Sequence, residues 1–182
     1  VEKLAKEYDI AIEGRAYLLR PDTPQEGIAR SPRPGETENE LSAPLRDHAR
    51  EAGLIMRPLK RTPNTMHILE ATEHAQQRGK FMEFHQAAYK ALWEDGKDIN
   101  DLSVIGEIAD GISLDSGELV AALEGGEHTS TVMEQYNEAL HHGIRGIPTF
   151  LVGNLMFTGA HPYEIFQSAM KRVLGEEEAP QG

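Results

Sequence analysis

The residue types that most often act as nucleophiles, proton carriers or metal ligands are unequally represented in this chain of 182 residues. It contains eight histidines and no cysteine, which excludes a disulfide framework or a thiolate metal site within these residues. The histidines that have a carboxylate or a second histidine nearby in sequence form the pairs Glu70 and His74, Glu83 and His85, and His141 and His142. None of these pairs has the H-E-x-x-H spacing that places two imidazoles and a general base on one helix face. The sequence therefore predicts no metal site.

Other functional classes are excluded by motif and by composition. No serine nucleophile motif is present, and the glycine pair at Gly125 and Gly126 lacks the preceding strand that a phosphate-binding loop requires. The net charge is -12, from 18 basic and 30 acidic residues, and no dense Lys/Arg cluster is present, so a nucleic-acid partner is not expected. No apolar run reaches the roughly 18 residues of a spanning helix, so no membrane partner is expected either.

The elements at the start of the chain are predicted by hydrophobic spacing. Val1, Leu4, Ala5 and Tyr8 recur at helical spacing, but no N-cap residue precedes them. We therefore expect the sequence to begin inside a helix whose start lies upstream. Alternating apolar residues predict a strand over residues 10–19, and the proline-rich stretch 20–40 predicts a long loop.

The rest of the chain is predicted to be a helical block followed by a hairpin and a helix. Six candidate helices occupy residues 41–142, and Asn64 and Asp115 are candidate N-caps within that block. The runs PTFLVG and LMFTG meet at Gly153 and Asn154, a pair typical of a β-hairpin turn. A final helix is expected from Pro162 to about Leu174, and the acidic GEEEAPQG after it is expected to be a frayed tail.

Three motifs in this order identify a family resemblance. They are RAYLLRPDTPQEG at 15–27, NTMHILEATEHAQQRGKFMEFHQAAYKALWEDGKDIND at 64–101, and GIRGIPTFLVGNLMFTGAHP at 143–162. The chain resembles the DsbA-like thioredoxin superfamily, within it the FrnE-like disulfide oxidoreductases. The resemblance implies an α/β thioredoxin-like fold with a helical insertion, lacking its first strand and the start of its active-site helix. It divides the chain into a thioredoxin-like domain at 1–40 and 129–182 and a helical insertion at 41–128.

The resemblance also implies where the site lies. A C-x-x-C motif is expected upstream of Val1, at the N-terminus of the first helix, where the helix dipole lowers a thiol pKa. Ile147 and Pro148 are then the substrate-side half of the catalytic site, with a cis peptide bond between them, and Gly146 and Thr149 contribute to substrate binding. The alternative interpretation is that Pro148 only begins an edge strand.

Two further features have both a functional and a structural interpretation. Asn64 is a candidate substrate-binding residue, because related glutathione-using enzymes place an asparagine in a similar context, but it is equally a helix cap, which we favour. Trp93, Phe81, Phe84 and Tyr89 could line a substrate groove, although aromatic residues at helical spacing more often form a core.

Three functions remain open from the sequence. The first is thiol-disulfide exchange with a protein or small-molecule thiol or disulfide and no cofactor. The second, from a neighbouring branch, is a glutathione-dependent isomerase or transferase of the 2-hydroxychromene-2-carboxylate isomerase and kappa-class kind, with glutathione as co-substrate. The third is a non-catalytic binding module. The resemblance favours the first and implies a cytoplasmic location, and a homodimer is compatible with either enzyme.

Overall fold

Helices dominate the architecture. The computed structural model describes residues 1–176, so the predicted frayed tail lies mainly outside the described residues. The helices are α1 (Glu2–Glu7), α2 (Ala43–Glu51), α3 (Met66–Gln77), α4 (Phe81–Trp93), α5 (Leu102–Gly111), α6 (Ser116–Glu124), α7 (Thr129–His141) and α8 (Tyr163–Leu174). The strands are β1 (Ile28–Ala29), β2 (Arg61–Thr62), β3 (Thr149–Val152) and β4 (Leu155–Thr158). The six helices expected between residues 41 and 142 are confirmed as α2 to α7.

The main core lies inside the helical block. Phe84 of α4, Ile105 of α5 and Leu119 of α6 are fully buried and belong to one apolar cluster. Each comes from the apolar face of an amphipathic helix, which is stable only when packed against a neighbour. Asp115 begins α6 by accepting a hydrogen bond from the Glu118 amide at 2.8 Å, so the predicted cap is confirmed.

The long loop contains more structure than expected. Its residues Ile28 and Ala29 pair antiparallel with Thr62 and Arg61 in a two-strand ladder. Within the loop, the Arg30 guanidinium donates to both carboxylate oxygens of Glu36 at 2.7 and 2.6 Å. Both bonds come from the same guanidinium nitrogen, Nη2, and charge-assisted hydrogen bonds of this kind are strong. They hold this part of the loop in a defined conformation.

The C-terminal hairpin packs with α8 and α1 in a second apolar cluster. Strands β3 and β4 pair from Thr149 with Thr158 to Val152 with Leu155, and the turn at Gly153 and Asn154 is confirmed. Gly153 has φ 59°, a left-handed conformation that glycine adopts without a Cβ penalty. Leu4 of α1 packs with Phe166 and Met170 of α8. The two clusters are compatible with the predicted division into two domains, whose boundaries remain a prediction.

The predicted strand over residues 10–19 does not form a hydrogen-bonded ladder. Residues 10–18 carry no regular secondary structure, and no strand of residues 1–176 pairs with them. Alternating apolar residues fit a strand surface, but a ladder also needs a neighbouring backbone. The backbone amides of this segment instead bond to glutamine side chains of α3 and α7.

Candidate functional site

The loop predicted to contact substrate begins at the end of α7. That helix ends at His141, and Gly143 adopts φ 76° just beyond it. The Ile144 amide then donates back to the carbonyl of Ala139 at 2.9 Å. This left-handed glycine closure turns the chain sharply away from the helix axis, and residues 144–148 lead directly into β3.

Residues Gly146 to Thr149 form a short exposed loop whose flanks are held in place. The peptide bond between Ile147 and Pro148 is cis, and the Ile147 side chain is 49% exposed. Thr149 donates its hydroxyl to the Gly146 carbonyl at 2.8 Å, and the Gly159 amide donates to the Pro148 carbonyl at 2.8 Å. Ile147 is therefore presented outward from a loop fixed at both ends.

An apolar groove of about 670 Å³ begins at this loop. One wall is β3 with the underside of α8, and the other is the segment at 10–17 with α7. β3 is bonded to β4 along only one edge, and its residues Thr149 to Val152 line the groove. A volume of this size lies in the range of ligand pockets, and the groove presents an unpaired strand edge along its length.

The polar groups of the groove are concentrated on one wall. Arg15 makes ion pairs with Glu13 and with Glu138. Partial burial acts to lower the pKa of Arg15, but hydrogen bonds and charge attraction from the two carboxylates outweigh it and raise that pKa. Both carboxylates are thereby engaged by one guanidinium, and neither is positioned as a free general base.

The segment at 10–17 is held by two glutamines rather than by a strand. The Gly14 amide donates to Gln76 Oε1 at 3.0 Å, and the Ala16 amide donates to Gln135 Oε1 at 2.5 Å. Sequence reasoning missed both acceptors, because each contact joins residues more than 60 positions apart. No local spacing signals such a contact.

Asn64 lies apart from the groove. Its amide nitrogen donates to the Thr23 carbonyl at 2.7 Å, and its Oδ1 accepts from the Met66 amide at 2.8 Å at the start of α3. Both ends of the side chain join the long loop to a helix, but the N-cap residue of α3 is Thr65, so Asn64 lies one residue before the predicted cap position. Substrate binding by Asn64 remains a prediction.

The aromatic residues of α4 divide between core and surface. Phe84 is fully buried, whereas Tyr89 is 54% exposed. The rings of Phe81 and His85 lie 5.4 Å apart and those of His85 and Tyr89 lie 4.6 Å apart. None of these residues lines the groove at Ile147.

A buried histidine pair is a further feature that the sequence spacing did not indicate. His74 Nδ1 lies 3.2 Å from His128 Nε2, and both residues are almost fully buried. Burial lowers the pKa of His74, as does the positive charge of Arg78. The pair joins α3 to the start of α7, the helix that leads to the Ile147 loop.

Comparison with known proteins identifies the family. A family model described as a DSBA-like thioredoxin domain matches residues 1–171. The chain belongs to this family. It is 27% identical to a probable DsbA oxidoreductase from Streptomyces coelicolor, over 75% of this chain and 60% of that one, with a TM-score of 0.65. The fold is therefore the DsbA-like thioredoxin fold, here rich in helices.

Two further relatives bear on the fold and on the extent of the chain. The structure of a 2-hydroxychromene-2-carboxylate isomerase superposes with a TM-score of 0.72 over 96% of this chain and 87% of that one, at 18% identity, which supports the fold alone. The Bacillus subtilis protein YwbO is 26% identical over 113 residues, covering 59% of this chain and 54% of YwbO. The chain thus spans about half of this curated relative.

Residues 1–176 lack two kinds of feature. No helix among them combines the length and apolar character needed to cross a membrane. No group of three or more His, Cys, Asp or Glu side chains in that range could hold a metal ion. The FrnE-like branch, the cytoplasmic location and the homodimer remain predictions.

Proposed function

We propose that the complete protein is a thiol-disulfide oxidoreductase and that Gly146 to Thr149 form the substrate side of its active site. The observation that supports this most directly is the exposed Ile147, which lines an apolar groove together with Val1 and with Leu4 of α1. Membership of the DsbA-like family and the likeness to the Streptomyces oxidoreductase agree with it. Its substrates would be proteins or small molecules that carry a thiol or a disulfide.

The groove supports a specific place for the reactive pair. It lies between the free edge of β3 and the extended segment at 10–17, and a strand placed there would pair with β3 and cover apolar side chains of both walls. We propose that a segment preceding Val1 supplies that strand and two cysteines. The Ile147 backbone would then bind an extended substrate by main-chain hydrogen bonds.

The chemistry follows from ordinary disulfide exchange. A substrate thiolate attacks one sulfur of the enzyme disulfide, the other sulfur leaves as a thiolate, and a mixed disulfide forms. A second substrate thiolate then attacks the substrate sulfur of the mixed disulfide, which releases oxidised substrate and the reduced enzyme. Residues of this chain orient the substrate for both steps, and the two electrons pass to the cysteine pair.

A thiol titration of the complete gene product, before and after reduction, tests the proposal. We expect two thiols to appear on reduction and to disappear on reoxidation. A product without a redox-active pair overturns the proposal. If that product binds glutathione in calorimetry, the glutathione-dependent alternative replaces it.

A matched pair of variants tests the role of the loop. Ile147→Asp is compared with Ile28→Asp, because these isoleucines are 49% and 47% exposed and only Ile147 lines the groove. Partial burial of an isoleucine against substrate contributes about 1 kcal/mol, so we expect Ile147→Asp to lower kcat/KM for oxidation of a dithiol peptide about fivefold. Equal rates for the two variants would remove Ile147 from the site.

A further inference from the structure

Two buried histidines connect α3 to the start of α7. His74 and His128 are 1% and 3% exposed, and Nδ1 of His74 lies 3.2 Å from Nε2 of His128. At that distance one ring donates its N–H to the lone pair of the other. Protons on both facing nitrogens would replace this hydrogen bond by repulsion. The contact therefore requires at least one neutral imidazole.

The outer nitrogen of His74 is also a poor site for a proton. Nε2 of His74 is buried and has no hydrogen-bond partner among residues 1–176. A proton bound there would create a buried cation whose new N–H has no acceptor within that range, which is unfavourable. Separation of the two helices exposes the rings to water, where a histidine binds a proton near pH 6.5. Acid therefore favours the separated arrangement over the closed one.

The carboxylates closest in sequence to the pair do not neutralise it. No ion pair joins either imidazole to a carboxylate within residues 1–176. On α3, the Glu70 carboxylate accepts the hydroxyl of Thr129, and Glu73 is buried one residue before His74 without a hydrogen bond to either ring. The closed arrangement thus holds no counter-ion bonded to a protonated histidine.

The surrounding charges have opposing effects on His74. Arg78 lies one turn further along α3 and pairs with Glu118 of α6, and the exposed Glu127 lies in the turn before α7. Burial lowers the pKa of His74 most, repulsion from Arg78 lowers it further, and attraction from Glu118 and Glu127 raises it less. The balance keeps His74 neutral in the folded protein at neutral pH.

Both helices joined by the pair support one wall of the groove. Two turns after His128, Gln135 of α7 accepts the Ala16 amide, and it lines the groove. From α3, Gln76 accepts the Gly14 amide at 3.0 Å. The wall at residues 10–17 is therefore bonded to α3 and to α7 at once, and it keeps its shape only while these helices stay together.

We propose that the His74–His128 pair is a proton-sensitive latch, which holds the groove wall in place at neutral pH and releases it in acid. Protonation separates α3 from the start of α7, and the segment at 10–17 then loses its fixed support. This inference goes beyond the proposed function, because it concerns the shape of the groove and holds whether or not the complete protein carries a redox-active pair.

Amide hydrogen exchange of the complete protein, followed by mass spectrometry at pH 7.5 and pH 5.5, tests the latch. Protection factors, corrected for the intrinsic pH dependence of exchange, are compared for residues 10–17, for α7 and for α8, which belongs to the second apolar cluster. One pH unit below 6.5, an open state that binds one extra proton is favoured about tenfold. We expect protection of residues 10–17 and α7 to fall by about five- to tenfold at pH 5.5, and that of α8 to change by less than about twofold.

Histidine variants assign the effect to the pair. The double variant His74→Gln, His128→Gln has no titrating group at this position and should lose the fall in protection. His48→Gln, at an exposed position of α2, should keep it. If the double variant does not fold, His74→Gln replaces it and should reduce the fall. Unchanged protection at pH 5.5, an equal loss in α8, or a full loss that persists in the folded histidine variant overturns the proposal.

Discussion

Replacing Gly14 by alanine places a methyl group where the Phe81 ring already lies. A Cβ built at Gly14 would be 2.1 Å from Phe81 Cε2 and 2.2 Å from Cζ, whereas carbon atoms in contact prefer about 3.5–4.0 Å. The ring must therefore move by about 1.5 Å, and its movement is limited by the His85 ring 5.4 Å away. Overpacking of this kind costs about 1–3 kcal/mol.

Part of that cost is offset in the unfolded state. Alanine restricts the unfolded chain more than glycine does, which contributes about 0.4–1 kcal/mol in favour of folding. Gly14 does not have positive φ, so no backbone strain is added. The net expectation for Gly14→Ala is a loss of about 1–2 kcal/mol, and with a urea m-value of about 2 kcal/mol/M the unfolding midpoint falls by roughly 0.5–1 M.

Urea unfolding followed by circular dichroism measures this decrease in the free energy of unfolding. Two further variants test whether the clash with Phe81 causes it. Phe81→Leu removes the ring atoms that clash, so the Gly14→Ala change should cost little in that background. Gly111→Ala is the control, because nothing lies within 4 Å of its Cβ position and its φ is not positive. A Gly14→Ala midpoint at or above that of the unchanged protein, or a loss that Phe81→Leu does not reduce, would refute the close packing of these two residues.

Two other predictions concern the buried polar contacts. Burial lowers the pKa of His74 in the folded protein, so the imidazole binds a proton more readily in the unfolded chain. The free energy of unfolding that depends on neutral His74 is therefore fully present above pH 6.5 and decreases as the pH falls below it. For one proton the decrease is at most about 1.4 kcal/mol per pH unit. His74→Gln should reduce the change of the urea unfolding midpoint between pH 8 and pH 5.5. If the midpoint of this variant depends on pH as strongly as that of the unchanged protein, the His74–His128 pair is not the source of the pH dependence. Gln135→Leu should cost about 1–3 kcal/mol, because it leaves the Ala16 amide without its buried acceptor. A urea midpoint equal to that of the unchanged protein would show that water or another group takes the role of Gln135.

The parts of the fold that were predicted correctly depend on short-range patterns. The hairpin at Gly153 needs only a permissive turn residue between two apolar runs, and Asp115 needs only a carboxylate before a helical run. The segment at 10–17 has the alternation of a strand but no ladder. Its partner is not specified by its own sequence, because pairing depends on which backbone lies beside it in the folded chain.

The same reasoning applies to the candidate site. Ile147 and Pro148 were predicted from their motif, and the structure presents them on an exposed loop. The hydrogen bond from the Gly159 amide to the Pro148 carbonyl gave no sequence signal, because it requires the hairpin to bring these two residues together. The glutamine contacts and the His74–His128 pair gave no sequence signal, since each joins distant parts of the chain.

The helical block is part of the groove rather than an addition to it. Gln76 of α3 and Gln135 of α7 hold the wall at 10–17, and Thr129 of α7 donates its hydroxyl to Glu70 of α3. The Gly14–Gln76 and Thr129–Glu70 bonds join the predicted thioredoxin-like domain to the predicted helical insertion. Loosening α3 from α7 would therefore displace both the groove wall and the helix that leads to Ile147. Changes in the α3–α7 contact should therefore alter substrate affinity together with stability, even though Glu70, His74 and Thr129, which take part in it, do not line the groove.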